Sequence, residues 1–286
     1  MPYLYLATAV ISSASVAIAS GFWARGTAGK KGGNALFLCL QLGFIFLLWT
    51  VAFLTGFSFD VSVLPYSILF GVFFVLATTG NINAISNGSV ALTSLVNQSS
   101  MLVVSIWGLC FWGEVFTLET GIGLVLVLVA LWLCLKPAPG EEKINAKWLA
   151  FATMLLVGNA GASVVQRSQQ MAFNGMHGNM LMFFAIMIAF GFCLVRFLRG
   201  DRSDVRSMMG LNTVWPLVAG GTNMLMNVVV MLLATTTLPT SLIYPTISIG
   251  GLMISVLFSR FVFKESLNVQ QWIGMALGVV ATAILA

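Results

Sequence analysis

Polar and Gly/Pro-rich breaks divide the chain into ten apolar runs, at 3–22, 34–55, 64–86, 89–111, 117–136, 148–166, 177–198, 213–235, 240–262 and 268–286. Runs of about 20 apolar residues suit helices that cross a bilayer, whereas a membrane β-barrel needs shorter segments with alternating polarity. The pattern predicts an all-α integral membrane protein with ten transmembrane helices. The first run follows the initial Met with no basic segment before it and exceeds the apolar length of a signal peptide, so it reads as a retained helix.

Composition agrees. The chain is 59% hydrophobic and 7% charged, with a mean hydropathy of +1.01, which no water-soluble domain can bury. The net charge of +5 is scattered, with no block of like charges, which argues against nucleic-acid binding. Its placement orients the chain. Of the 13 Lys and Arg residues, 12 lie in the connections after runs 1, 5, 7 and 9 or at the run ends that lead into them, and only Arg167 belongs to the opposite face. The positive-inside rule then puts those connections in the cytoplasm and both termini outside the cell. A bacterial inner membrane is the expected location.

A shift of 151 residues superimposes the end of one half on the end of the other. Glu114 meets Glu265, Gly123 meets Gly274, Ile122 meets Ile273, Leu126 meets Leu277, Ala130 meets Ala281 and, upstream, Pro65 meets Pro216. Leu109 and Gly113 meet Arg260 and Lys264, as expected if only the second copy of this turn faces the cytoplasm. Two halves of five helices each, an odd number, enter the membrane from opposite sides and form an inverted repeat. The expected units are 1–136, a polar linker at 137–147 ("PAPGEEKINAK") and 148–286.

Ten helices in two halves, each ending in an apolar helix after a glutamate turn ("GEVFTLETGIGLVLVLVA" and "KESLNVQQWIGMALGVVA"), resemble the drug/metabolite transporter superfamily, in particular its EamA-like members. The resemblance covers nearly the whole chain, with its motifs concentrated at the end of each half. Pro245 matches a proline that members often carry in the ninth helix. The first helix reads "SSASVAIASGFWARG" and lacks the usual Trp-Gly and Asn pattern, so no substrate class carries over. What the resemblance implies is alternating access around a central cavity lined mainly by helices 1, 3, 4, 6, 8 and 9.

Candidate chemistry is sparse, and its kind is informative. No Asp, Glu, Lys or Arg lies near the middle of any run, so the expected cavity has no fixed charge with which to neutralise an ion. Amides and hydroxyls are present instead. The candidate substrate-binding residues are Asn83, Asn97, Gln98, Asn159, Asn223, Asn227, Tyr244 and Ser248, with Arg167 as an anion clamp at the outer mouth or an interfacial cation. Asn97 and Ser248 coincide under the 151-residue shift and form the best pair for substrate contact. Each amide has an alternative role in bonding one helix to another, at about 1 kcal/mol apiece. Glu114, Gly123, Glu265 and Gly274 are read as structural parts of the repeat, since an acid at a turn favours the following helix N-terminus.

Small residues recur every fourth position at Ala9, Ser13, Ala17 and Gly21, and again at Gly274 and Gly278, where another helix can approach closely, within the monomer or in a homodimer. "GNAG" at 158–161 fits either a loosened helix or a tight contact. His177 reads as a solvated loop residue. The four cysteines lie in apolar runs without CxxC spacing, so neither a disulfide framework nor a metal site is indicated, and no cofactor motif or enzyme constellation occurs. The expected function is secondary transport of a small neutral or zwitterionic metabolite, such as an amino acid or nucleobase-like compound. A coupling ion is possible. The alternatives are a proton-coupled exporter of lipophilic cations, which would have to enlist Glu114 or Glu265, and a scaffold or sensor that transports nothing.

Overall fold

The computed structural model describes residues 2–88, 90–113, 117–134, 145–234, 240–264 and 268–285. Among these, ten helices of 17 residues or more follow one another: α1 (Pro2–Gly26), α2 (Gly33–Thr55), α3 (Leu64–Asn87), α4 (Val90–Phe111), α5 (Leu118–Cys134), α6 (Ala146–Ala172), α7 (Gly178–Arg199), α8 (Val214–Ala234), α9 (Thr240–Phe261) and α10 (Val269–Leu285). No strand occurs among the described residues.

Local chemistry sets several boundaries. Asp60 accepts from the Ser62 amide at 2.9 Å in the turn before α3, where Pro65 occupies the first helical turn and needs no amide partner. Asn145 caps α6, its Oδ1 accepting from the amides of Lys147 and Trp148 at 2.6 and 3.0 Å. At its other end α6 runs six residues past the predicted stop at 166. The polar tail that lowers its hydropathy points inward: Gln166, Gln169 and Gln170 are all buried.

Among the described residues, six helices or helix-plus-turn segments are long and apolar enough to cross a membrane: Pro2–Gly26, Gly33–Thr55, Val61–Asn87, Ala146–Ala172, Gly178–Arg199 and Leu211–Leu233. Their outer faces carry exposed apolar side chains such as Leu47, Val51, Ile68, Phe192 and Leu225. A continuous surface of this kind is stable against lipid and not against water. The protein is therefore all-helical and membrane-embedded.

The largest core cluster lies among α2, α3 and α7. Trp49 and Phe70 are almost wholly enclosed there, and Phe183 stacks between Phe46 and Phe53 with ring centroids 5.6 and 4.7 Å apart. Across the molecule α1 packs chiefly on α8 and α9, α6 on α3 and α4, α2 on α7 and α8, and α5 on α10. Glycines permit the closest approaches. A Cβ on Gly80 would stand 2.5 Å from the Leu155 backbone nitrogen, and one on Gly158 would strike the backbone of Ala77, so α3 and α6 cross backbone against backbone. The small-residue stripe of α1 is used in the same way, with Ala9 enclosed by Val229 and Leu233 of α8 and Gly21 facing Phe263 and Val90. Gly278 meets Ile249 and Ala130 within the same chain, and "GNAG" is a packing contact in a continuous α6, Gly161 lying against the Phe73 ring.

Described residues at the ends of α1, α3, α7 and α9 and at the starts of α2, α4 and α6 are knitted together at one end. Asn34 donates to Asn83 at 3.0 Å and accepts from Ser86 at 3.1 Å. Trp148 donates to Thr93 at 3.2 Å. Lys31 pairs with Asp201 at 3.3 Å and gives its amide to Asp204. Arg25 donates to the Phe263 carbonyl at 3.2 Å and lies 4.2 Å above its ring. Two bonds from Ser203, with Lys31 beside it, hold the Asp201 carboxyl below the usual carboxylate range. At the opposite end, Ser58 bonds to His177 at 3.0 Å, and Asn179 donates to the Ala52 carbonyl. His177 is thus a half-buried, hydrogen-bonded residue in a left-handed turn (φ 60°) and not a freely solvated one.

Candidate functional site: an uncharged polar cavity

Between α1, α2, α3, α4, α6 and α8 lies a cavity of about 80 Å³. Its described wall holds seven uncharged polar residues (Ser13, Gln41, Thr78, Asn81, Asn97, Asn159 and Asn223), with Val16, Phe74, Ala77, Leu155 and Met226 completing it. No charged residue lines it among the described residues. The polar groups sit where they do because each helix turns one narrow polar stripe away from lipid, and six such stripes converge.

Several of these side chains are held by their neighbours. Asn159 donates to Ser100 Oγ at 2.6 Å and, more weakly, to the Asn97 carbonyl at 3.4 Å, which ties α6 to α4 at the cavity wall. Ser100 in turn donates to the Asn97 carbonyl at 2.5 Å. On α8, Asn227 directs its amide to the Asn223 carbonyl (2.9 Å) and side-chain oxygen (3.2 Å). Asn81 reaches Ser20 on α1 at 3.4 Å, and the Thr78 hydroxyl bonds back to the Phe74 carbonyl at 2.8 Å.

The sequence-derived candidates divide accordingly. Asn97, Asn159 and Asn223 come together on the wall, and Asn227 stands behind Asn223. Asn83 lies at the basic end of α3, donating to the Thr79 carbonyl at 2.7 Å as well as accepting from Asn34. Tyr244 is buried in an apolar cluster with Val104, beside Trp112, Val164 and Met226, and Ser248 is buried in α9. Neither lines the cavity. Gln98 lies on α4, and its side chain is outside the described residues, as are Glu114, Glu265 and most of the 137–147 linker. Gly123 and Gly274 are buried on α5 and α10, which pack on one another. Arg167 is half-buried within the last two turns of α6.

Thr78 and Gln41 are polar lining residues that sequence reasoning missed, and Gln41 is the less expected of the two. It is 3% exposed on α2, a helix expected to stand outside the cavity, while α9 contributes no described lining residue. A signal was present, because Gln41 is the one polar side chain in the middle of an otherwise apolar run. α8 also comes within reach of α2 only because Gly220 admits the Gln41 backbone.

No family model and no curated protein matches this chain. Among solved structures, a crystal structure described only as that of a protein is similar over 99% of this chain and 95% of its own, with a TM-score of 0.72 and 13% sequence identity. At that identity the likeness speaks for the fold alone. Fold and site together define a helical membrane protein with a small, uncharged, amide-lined cavity in its interior.

Proposed function

We propose that the protein is a secondary transporter for a small neutral or zwitterionic polar solute, working by alternating access in the manner of the drug/metabolite transporters its sequence resembles. The observation that carries this reading is the cavity wall: seven uncharged polar side chains and no ionisable one. A buried charge without a partner costs several kcal/mol, so such a wall rejects ions while its amides satisfy neutral donors and acceptors. At about 80 Å³ the cavity falls well short of the ~300–1,000 Å³ typical of ligand sites, so a metabolite enters only when the surrounding helices part.

The proposed architecture is ten spans in two inverted halves. The packing supports it, since exchanging α1–α5 with α6–α10 turns each major helix contact into another that is observed. The α3–α6 pair becomes α8–α1, α3–α7 becomes α8–α2, and α1–α9 becomes α6–α4. Two glycine contacts follow the same exchange: a Cβ added at Gly71 would stand 2.9 Å from the Ala185 carbonyl on α7, and one at Gly220 would stand 2.9 Å from the Gln41 carbonyl on α2. In the proposed orientation the basic end faces the cytoplasm of a bacterial cell and both termini lie outside. In a cysteine-free background, an impermeant maleimide applied to intact cells should label Asn174→Cys and leave Arg202→Cys unlabelled; the reverse pattern would invert the orientation.

Function is tested by a melting-temperature screen of the detergent-purified protein against amino acids, nucleobases, sugars, carboxylates and quaternary ammonium compounds, followed by uptake of any hit into proteoliposomes. A ligand that binds only the folded state raises the melting temperature, by about 2.7 kcal/mol of stability at a hundred times its Kd. Neutral or zwitterionic hits that are also taken up support the reading. Stabilisation by lipophilic cations alone replaces it with drug export, and binding without uptake by any compound favours a sensor.

A further inference from the structure

The cavity-facing side of α6 does not end at the cavity. Ser163, Gln166 and Gln170 lie 4, 7 and 11 residues beyond Asn159, offsets that keep all four within a narrow stripe of one helix face. The stripe runs away from the basic end, and by helical rise Gln166 and Gln170 stand roughly 10 and 16 Å past Asn159. Both are 6% exposed, and the side-chain nitrogen of each is buried with no hydrogen-bond partner. Gln169, fully buried on the same turn, gives its NH₂ to the Met176 carbonyl at 2.8 Å and leaves its Oε1 equally unpartnered. Arg167 adds a cation beside them in the sequence, the one Lys or Arg outside the basic end.

Buried polar atoms without partners are destabilising and uncommon, and three amide atoms within five residues, Gln166 Nε2, Gln169 Oε1 and Gln170 Nε2, call for a missing partner. We propose that Gln166 and Gln170 form a second binding station, for the carboxylate of a zwitterionic amino acid on its way between the cavity and the end opposite the basic one. The two donor amides take the carboxylate oxygens, and the Gln169 acceptor suits the ammonium group. The station deepens the transport reading and rests on it. It narrows the substrate from any neutral polar solute to one that carries a carboxylate, and it places recognition of that group outside the charge-free cavity.

The test compares binding of the standard L-amino acids with binding of their carboxamides, by melting-temperature titration of the purified protein. Replacement of both glutamines by leucine (Q166L/Q170L) removes the orphaned donors at similar volume. It should weaken amino-acid binding about tenfold or more, as expected for losing charge-assisted bonds, and leave the carboxamides unchanged. The ligand-free variant should melt no lower than the wild type, because two unsatisfied amides have gone. The glutamate pair Q166E/Q170E, which keeps the shape and sets acceptors where donors stood, should weaken amino-acid binding at least as much. Undiminished amino-acid affinity in both variants would overturn the station, and the amides would then be served by water. Equal losses for acids and carboxamides would overturn the carboxylate assignment. Failure of the transport reading shows in the wild type, where no amino acid or carboxamide would bind; failure of the station alone shows only in the variants.

Discussion

Gly158→Ala should destabilise the protein by about 3 kcal/mol or more, toward the upper end of what overpacking costs. A methyl group there would stand against the Ala77 nitrogen and 2.8 Å from both the Ala77 Cα and the Phe73 carbonyl. All three are backbone atoms of α3, so no side chain can swing aside. Either the α3–α6 crossing opens or the helices slide, and that crossing carries one wall of the cavity. Gly191→Ala is the matched control. It too lies within a helix, α7, but has nothing within 4 Å of a new Cβ, so its effect should stay within about 1 kcal/mol and favour the helix. Thermal melts of both variants in detergent provide the comparison. If Gly158→Ala melted with the wild type, the close crossing of α3 and α6 would be wrong.

The second large effect concerns the cavity. Asn97→Ala removes one of the seven polar side chains of the wall, and should weaken solute binding about tenfold while moving the melting temperature little. Asn159→Ala should lose both affinity and stability, because Asn159 lines the cavity and also bonds to Ser100 on α4. The pair of measurements, affinity and melting temperature, separates a residue that meets solute from one that also joins helices. Unchanged affinity in both variants would remove the cavity as the binding site.

How much of this was legible beforehand depends on what kind of information each residue carries. That the chain is helical and membrane-embedded follows from run length and polarity, which are one-dimensional properties. The gathering of Asn97, Asn159 and Asn223 was legible for a related reason: an amide in an apolar run avoids lipid, and the interior is the only other place for it. Whether an amide on an inward face remains available to a solute depends on its neighbours. Asn83 is engaged by Asn34 and by its own helix, and Asn227 by Asn223, contacts that depend on which helix lies alongside and which rotamer is chosen. The end of α6 was misplaced because hydropathy treats Gln166, Gln169 and Gln170 as a stop, while burial of the same three residues makes them part of the helix's inner face. Gln41 was missed because the close approach of α2 to α8 depends on Gly220, and a glycine announces no partner in the sequence.

Among the described residues, α5 and α10 supply nothing to the cavity, and their strongest contact is with each other. Their outward side chains, Val125, Leu128, Trp132, Ile273 and Val280 among them, face lipid. This pair is therefore insulated from selection on substrate: its sequence answers to its own joint and to the bilayer. Two proteins of this architecture could diverge wholly in what they carry while keeping this joint, or adapt to a different membrane by changing the joint and leaving the cavity untouched.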